Sequence, residues 1–309
     1  MKYYLAPLEG ITTRIYRKAY HACFAPMDKY FTPFLSPHTK KGFTAKELAE
    51  ILPENNEGMY LVPQILTNRS EDFLRTEEKL AYYGYDEINL NLGCPSKTVV
   101  SKGRGSGFLA DPEGLDRFLD EVFSKTKARI SIKTRIERDD PEEFECLLKI
   151  YGQYPLEELI IHPRVQKDFY RNRPNLEVFE AAVEAGGSPL CYNGDICSKE
   201  DAEAVERRFP SVPACMIGRG IIADPGLLGE ITRGEKRDYS RLRRFHNLVY
   251  EEYRSLGMGD RNVLFKMKEL WCYMGNSFPG SGKQLKRIKK AEKADRYEEA
   301  VDACFAGDA

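Results

Sequence analysis

The sequence predicts a (β/α)₈ barrel, an α/β TIM barrel, followed by a small C-terminal helical bundle. Three observations carry that prediction. Eight short β-rich runs alternate with amphipathic helical stretches, the pattern of a parallel sheet. Nearly every run ends, at its C-terminal side, in a residue able to bind or react. Barrel enzymes build their sites from such a ring of strand ends, whereas an open doubly wound sheet gathers its ligands at one switch point. From about Gly234 onward no β-rich run follows and only helical periodicity remains. The expected division is a barrel over residues 1–233 and helices over 234–309, and a barrel of about 250 residues plus a tail suits this length.

The β-rich runs are Tyr3–Leu5, Tyr30–Phe34, Tyr60–Ile65, Glu87–Asn91, Ile130–Thr134, Leu159–His162, Leu190–Asn193 and Cys215–Gly218. Helix starts lie between them. Thr12 or Thr13 opens the first, and Thr44 with Glu47 three residues on has the spacing of a capping box. Ser70-Glu71-Asp72 puts acids in a first turn, where the helix dipole favours them. Asp111-Pro112-Glu113 and Asp140-Pro141-Glu142 each offer an N-cap followed by proline at the first helical position. Asn175, Ser198 and Asp224-Pro225 open later helices. Tyr239–Leu256 and Val263–Met274 read as long helices, separated by the Gly257-Met258-Gly259 loop and followed by a Phe278–Gly282 loop.

Composition narrows the class. An apolar fraction of 42% and a charged fraction of 31% are those of an ordinary globular chain. No apolar run approaches the ~18 residues of a membrane span, and the N-terminus has no signal-peptide pattern, so a cytoplasmic protein is expected. None of the eight cysteines forms a C-x-x-C pair, which leaves no zinc-knuckle or thioredoxin-like signal and predicts reduced thiols and no metal. With a net charge of −1, any contact with nucleic acid must use a local basic surface.

Several strand ends carry candidate chemistry. Glu9, Gln64, Asn91, Lys133, His162, Asn193 and Arg219 follow or close successive strands. The glycine-rich turns Asn193-Gly194-Asp195 and Gly218-Arg219-Gly220 stand where many barrels hold a phosphate; the alternative is two tight turns. Lys133 on an inward strand end needs an acceptor, which a reduced flavin ring offers. A solvent-facing lysine and a Schiff-base lysine of aldolase type are its rivals. His162 with Arg164 suits a phosphate or a pyrimidine carbonyl, against a structural histidine. Cys94, on a Gly/Pro-bounded loop, suits a proton donor or nucleophile. The stretch Lys102–Gly107 beyond it reads as a mobile lid or an RNA-facing loop, against a plain surface loop. Lys283–Lys290 is a basic helix with Leu285, Ile288 and Ala291 on its buried side; Lys286 and Lys290 suit phosphate contact, against a merely solvated face.

In order along the chain, Ala6-Pro7-Leu8-Glu9, Pro63-Gln64-Ile65, Asn91-Leu92-Gly93-Cys94-Pro95, Lys133-Thr134-Arg135, His162-Pro163-Arg164, Asn193-Gly194-Asp195 and Gly218-Arg219-Gly220 resemble the motifs of the tRNA-dihydrouridine synthase family. The Cys94 loop is the most specific of them. The resemblance implies an FMN-dependent oxidoreductase that uses NADPH to reduce uridine in RNA, most of all tRNA, to 5,6-dihydrouridine. It implies Cys94 as proton donor and Pro7, Leu8, Glu9, Gln64, Lys133, His162, Asn193, Gly194, Asp195, Gly218 and Arg219 as flavin contacts. Asn91, Arg135, Arg164, Lys286 and Lys290 are the expected substrate contacts, and a monomer is expected. The sequence departs from the family pattern at Leu8, where methionine is usual, at Tyr170-Arg171-Asn172 and at Gly105–Leu109. Rival readings are a flavin barrel acting on a free pyrimidine or another small enone, and an RNA-binding protein without catalysis.

Overall fold

A computed structural model describes residues 1–37, 42–137 and 143–307; the predicted helix start at Asp140-Pro141-Glu142 lies outside them. The packing divides the chain into two compact units. The first comprises residues 1–7, 28–195 and 204–217, the second 8–27, 196–203 and 218–309. The helical unit thus contains all of 234–309 together with segments that the sequence grouped with the barrel.

The first unit holds nine parallel strands: β1 (Lys2–Leu5), β2 (Lys29–Phe31), β3 (Leu61–Val62), β4 (Gln64–Ile65), β5 (Glu87–Leu92), β6 (Arg129–Glu137), β7 (Glu158–Val165), β8 (Leu190–Tyr192) and β9 (Ala214–Ile217). Their order is β3-β2-β1-β9-β8-β7-β6-β5-β4. The two ends of that order, β3 and β4, are consecutive in the chain across Pro63, so the sheet closes on itself as a barrel. The expected run Tyr60–Ile65 is divided in two because Pro63 has no N–H to give the ladder. Pro33 shortens the expected Tyr30–Phe34 run to β2 for the same reason. Pairing resumes at Leu35, whose N–H donates to Gln64 O at 2.7 Å.

Local signals form several of the helices as read. Thr44 and Glu47 make the reciprocal capping box before Ala45–Ile51. Asp111 accepts from Gly114 N at 2.9 Å, and Asn175 from Val178 N at 3.1 Å, at the starts of Pro112–Phe123 and Leu176–Ala185. Ile88, Leu90, Ile132, Ile161 and Ile217 of β5, β6, β7 and β9 are wholly buried.

The N-terminal end of the barrel is closed by polar side chains that the sequence reading passed over. Lys29 pairs with Glu87 at 2.8 Å, Tyr60 donates to Glu87 at 2.8 Å, and Tyr4 donates to Glu158 at 2.8 Å. Burial, opposed by Lys29, raises the Glu158 carboxyl to about 7.

In the second unit, Arg14–Cys23 packs on Tyr239–Ser255, which packs on Asp260–Met274; Gly282–Lys290 and Ala294–Ala306 complete the bundle. Gly257 and Gly259, at φ +64° and +78°, make the predicted turn between the two long helices. Its core includes a buried polar chain. Trp271 Nε1 donates to the Tyr297 hydroxyl at 2.8 Å, and that hydroxyl lies 2.7 Å from His246 Nε2. No helix among the described residues is long and apolar enough to cross a membrane.

Candidate active site at the strand ends

Strand period two writes the site. Glu87, Asn89 and Asn91 share one face of β5, Ser131, Lys133 and Arg135 one face of β6, and Glu158, His162 and Arg164 one face of β7. Parallel register aligns these stripes: Gln64 is opposite Asn89, Asn89 opposite Ser131, Asn91 opposite Lys133, and Arg135 opposite His162.

The amides form one connected chain. Asn91 Nδ2 donates to Gln64 Oε1 at 2.7 Å, Gln64 Nε2 to Asn89 Oδ1 at 2.8 Å, and Asn89 Nδ2 to Ser131 Oγ at 2.9 Å. Its direction has a physical cause. Asn91 Oδ1 must face the N–H groups of Gly93 and Cys94, at 3.1 and 3.0 Å, and this sets every amide behind it. Asn89 and Ser131 were not singled out from sequence; the i, i+2 spacing of Asn89 and Asn91 was the available signal.

Cys94 is half-buried on the loop so held. Its carbonyl accepts from Ser106 N at 3.1 Å and from Ser106 Oγ at 2.9 Å. The stretch expected as a lid or an RNA-facing loop, Lys102–Gly107, follows one helical turn, Lys97–Val100, and runs into a 3₁₀ segment, Gly105–Ala110, in which Ser106 is wholly buried. Gly105 is required there, because it sits at φ +56° and a Cβ would meet the Cys94 carbonyl at 2.7 Å.

Three cations stand at the ends of β6 and β7. Lys133 retains some accessible surface but lies deep in the protein, and it makes no hydrogen bond or ion pair among the described residues. Burial first, and Arg135 second, lower it to about 8. Arg135, an expected substrate contact, donates to three backbone carbonyls. Arg164, also expected to touch substrate, is 1% exposed and forms a two-point ion pair with Asp195. A guanidinium this deep needs its acceptors within the protein. The same pair engages Asp195, which the family resemblance makes a cofactor contact.

His162 is buried, with Nδ1 2.6 Å from Asn193 O and Nε2 3.4 Å from Arg164 Nη1. Nδ1–H donating to the carbonyl leaves Nε2 as the acceptor. Burial, then Lys133 and the two arginines, hold this imidazole well below its usual pKa, so it is neutral. Asn193 is itself anchored, Nδ2 donating to Met216 O at 2.8 Å. Gly194 has a packing reason: a Cβ would meet the Tyr192 hydroxyl at 1.9 Å. Pro7 is half-buried just after β1.

The remaining candidates lie in the second unit. Leu8 N donates to Thr12 Oγ1 at 2.7 Å, and Glu9 is exposed. Gly218 precedes the short helix Arg219–Ala223, and a Cβ on Gly220 would meet Ile196 O at 2.1 Å. Lys286 and Lys290 are exposed and, with Lys283, Arg287, Lys293 and Arg296, line a groove of about 640 Å³. None of the eight cysteines is joined in a disulfide.

A closed parallel barrel with a ring of buried amide, imidazole and cationic groups at its strand ends is the architecture of a (β/α)₈-barrel enzyme. The dihydrouridine synthase (Dus) family model matches residues 4–305. The chain belongs to that family of oxidoreductases. It is 28% identical over 261 residues to a probable tRNA-dihydrouridine synthase of Staphylococcus aureus (strain COL), covering 81% of this chain and 77% of the relative. It is 28% identical over 226 residues to tRNA-dihydrouridine synthase B of Pasteurella multocida (strain Pm70), covering 72% and 67%. Among solved structures, a morphinone reductase variant in complex with tetrahydroNAD superposes with a TM-score of 0.54 at 13% identity, over 78% of this chain and 89% of the other. A variant of NCR from Zymomonas mobilis gives 0.52 at 14%, over 79% and 90%. These two likenesses establish the barrel fold alone.

Proposed function

We propose that this protein reduces uridine in tRNA to 5,6-dihydrouridine with a bound FMN and NADPH as reductant, Cys94 giving the proton. The observation that carries the reading is the Cys94 loop. A half-buried thiol stands on a loop pinned by Asn91 and Ser106, and Lys133 at the end of the same barrel makes no hydrogen bond or ion pair among the described residues.

The residues present suit a flavin. Lys133, Arg135 and Arg164 crowd around His162, and of the three only Arg164 has a carboxylate partner. Such a strand-end ring favours an electron-rich acceptor, as the N1 side of a reduced isoalloxazine is. Gln64, Lys133, His162 and Asn193 would hold the ring system; family resemblance adds Pro7, Leu8, Glu9, Gly194, Asp195, Gly218 and Arg219. When bound, FMN supplies the hydride that reaches C6 of the pyrimidine.

The chain's own residues do the rest. Cys94 Sγ holds a proton for C5, and Asn91 fixes its loop so that the donor meets the base in one geometry. A neutral His162 accepts at Nε2 and is no general acid near neutral pH. The target base must leave its stack to enter a barrel mouth. The basic groove of Lys283, Lys286, Arg287 and Lys290 suits phosphate contact along the RNA, a task for which a free small-molecule substrate has no use.

The test is the dihydrouridine content of tRNA, by nucleoside mass spectrometry, from cells with and without the gene, joined to reduction of that tRNA in vitro. A tRNA position that loses the modification and regains it with purified protein supports the reading. An unchanged profile, with turnover on a free pyrimidine or enone, would replace it by the small-molecule reductase.

A further inference from the structure

Arg135 has no carboxylate within ion-pair distance among the described residues, although it is only 2% exposed. Three of its donors go to backbone, Nε to Gly93 O at 3.0 Å, Nη1 to Val165 O at 3.0 Å and Nη2 to Phe169 O at 2.9 Å, and the Tyr170 side chain is a further hydrogen-bond partner. Gly93 adjoins Cys94. Val165 and Phe169 bracket the turn after β7, and the guanidinium also lies 5.5 Å over the Tyr170 ring. Tyr170 in turn meets His162 edge-on at 6.0 Å.

We infer that Arg135 is a positioning residue that ties the Cys94 loop to the Phe169–Tyr170 loop, so that the two move as one body. The inference rests on the function proposed above for its kinetic consequence, and on the protein alone for its mechanical one.

Two features support it. Phe169 sits at φ 50°, ψ −93°, and is the one non-glycine residue at positive φ among the described residues. Such a backbone is strained and persists only where its surroundings over-determine it. Here its carbonyl accepts from Arg135, and its N–H donates to Gln166 O at 3.2 Å. Secondly, three carbonyls in three directions match the planar fork of a guanidinium. An ammonium is a compact point donor and cannot span them.

The test uses the full-length purified protein, first without RNA or reductant. In the wild type, native-state hydrogen exchange should give residues 93–106 and 166–172 the same opening free energy; clearly different values overturn the inference. In Arg135→Lys and Arg135→Ala, both loops should exchange faster together while β5 and β6 keep their protection. Iodoacetamide should then label Cys94 about tenfold faster, as the thiol leaves its fixed geometry. On RNA, kcat should fall about 10- to 100-fold with KM within about threefold, the mark of a misplaced donor, and lysine should not rescue it. A raised KM with unchanged loop exchange would make Arg135 a substrate contact instead. Should Arg135→Ala fail to fold, the wild-type exchange comparison and Arg135→Lys still decide. Exchange and labelling need no substrate, so a protein that reduces no RNA would sink the proposed function and leave this brace standing or falling on its own.

Discussion

Asn91 Oδ1 accepts the backbone amide of Cys94 at 3.0 Å while Asn91 Nδ2 donates to Gln64 at 2.7 Å. One side chain thus joins the loop of the proposed proton donor to the barrel's inner amide chain. Cys94→Ala should keep its yellow cofactor and lose about 10²- to 10⁴-fold in RNA turnover. Asn91→Ala should keep the thiol yet lose about tenfold or more in kcat by loosening its loop. Single-turnover reduction of tRNA measures both; a Cys94→Ala enzyme with normal turnover removes the thiol from the mechanism.

Lys133 makes the ligand-free protein pH-sensitive. Its folded pKa, about 8, lies below the ordinary 10.5, so the native state sheds a proton that the unfolded chain keeps between those values. Stability attributable to this group therefore rises with pH from about 8 to 10.5. An electron-rich ligand reverses the preference and takes up a proton. FMN affinity of apoprotein, measured by fluorescence quenching, should weaken as pH passes 8, and Lys133→Met should bind more weakly with a flat profile. A wild-type affinity constant from pH 7 to 9.5 speaks against the contact.

At the other end of the barrel the sign is opposite. Glu158 is raised from 4.5 to about 7, so the native state holds a proton that the unfolded chain has lost across that window. Stability from this group is complete below 4.5 and is lost as pH rises to about 7. Thermal melts of Glu158→Gln should show a smaller decline of Tm from pH 5 to 7 than the wild type. Parallel wild-type and mutant curves would contradict the assignment.

In the helical unit, the Tyr297 hydroxyl accepts from Trp271 and so turns its own proton to His246 Nε2. Tyr297→Phe leaves a buried N–H and a buried ring nitrogen unpaired, and should cost about 2–4 kcal/mol by denaturant titration. Burial lowers His246 to about 4. Below pH 6.5 the unfolded chain gains a proton that the native state refuses, so stability should fall with acidification until about pH 4.

The basic groove predicts a salt effect. Lys286→Glu with Lys290→Glu should weaken tRNA binding and reduce the log–log salt slope by about 1.5, the value for two lost phosphate contacts. NADPH oxidation by an artificial acceptor is the control. An unchanged slope in filter binding assigns the RNA to another surface.

The sequence by itself determined the barrel and most of its local stops and starts, because these are short-range properties. Alternation at period two, Thr44 with Glu47, Asp111 before Pro112 and Asn175 before Leu176 act within one turn or one strand. It also determined which strand ends carry polar groups, since Gln64, Asn91, Lys133, His162 and Asn193 stand last or next to last in their β-rich runs. Only the tertiary structure decided what those groups touch. Register between β4, β5 and β6 joined Gln64, Asn89, Asn91 and Ser131 into one chain, and packing gave Arg135 the protein's own carbonyls and Arg164 the Asp195 carboxylate as partners. Proline at 33 and 63 trimmed strands that propensity alone would extend. A hydrogen bond between residues 42 apart, such as Arg135 to Gly93 O, leaves no trace in either local segment, and the packing that excludes water from it exists only in the folded chain.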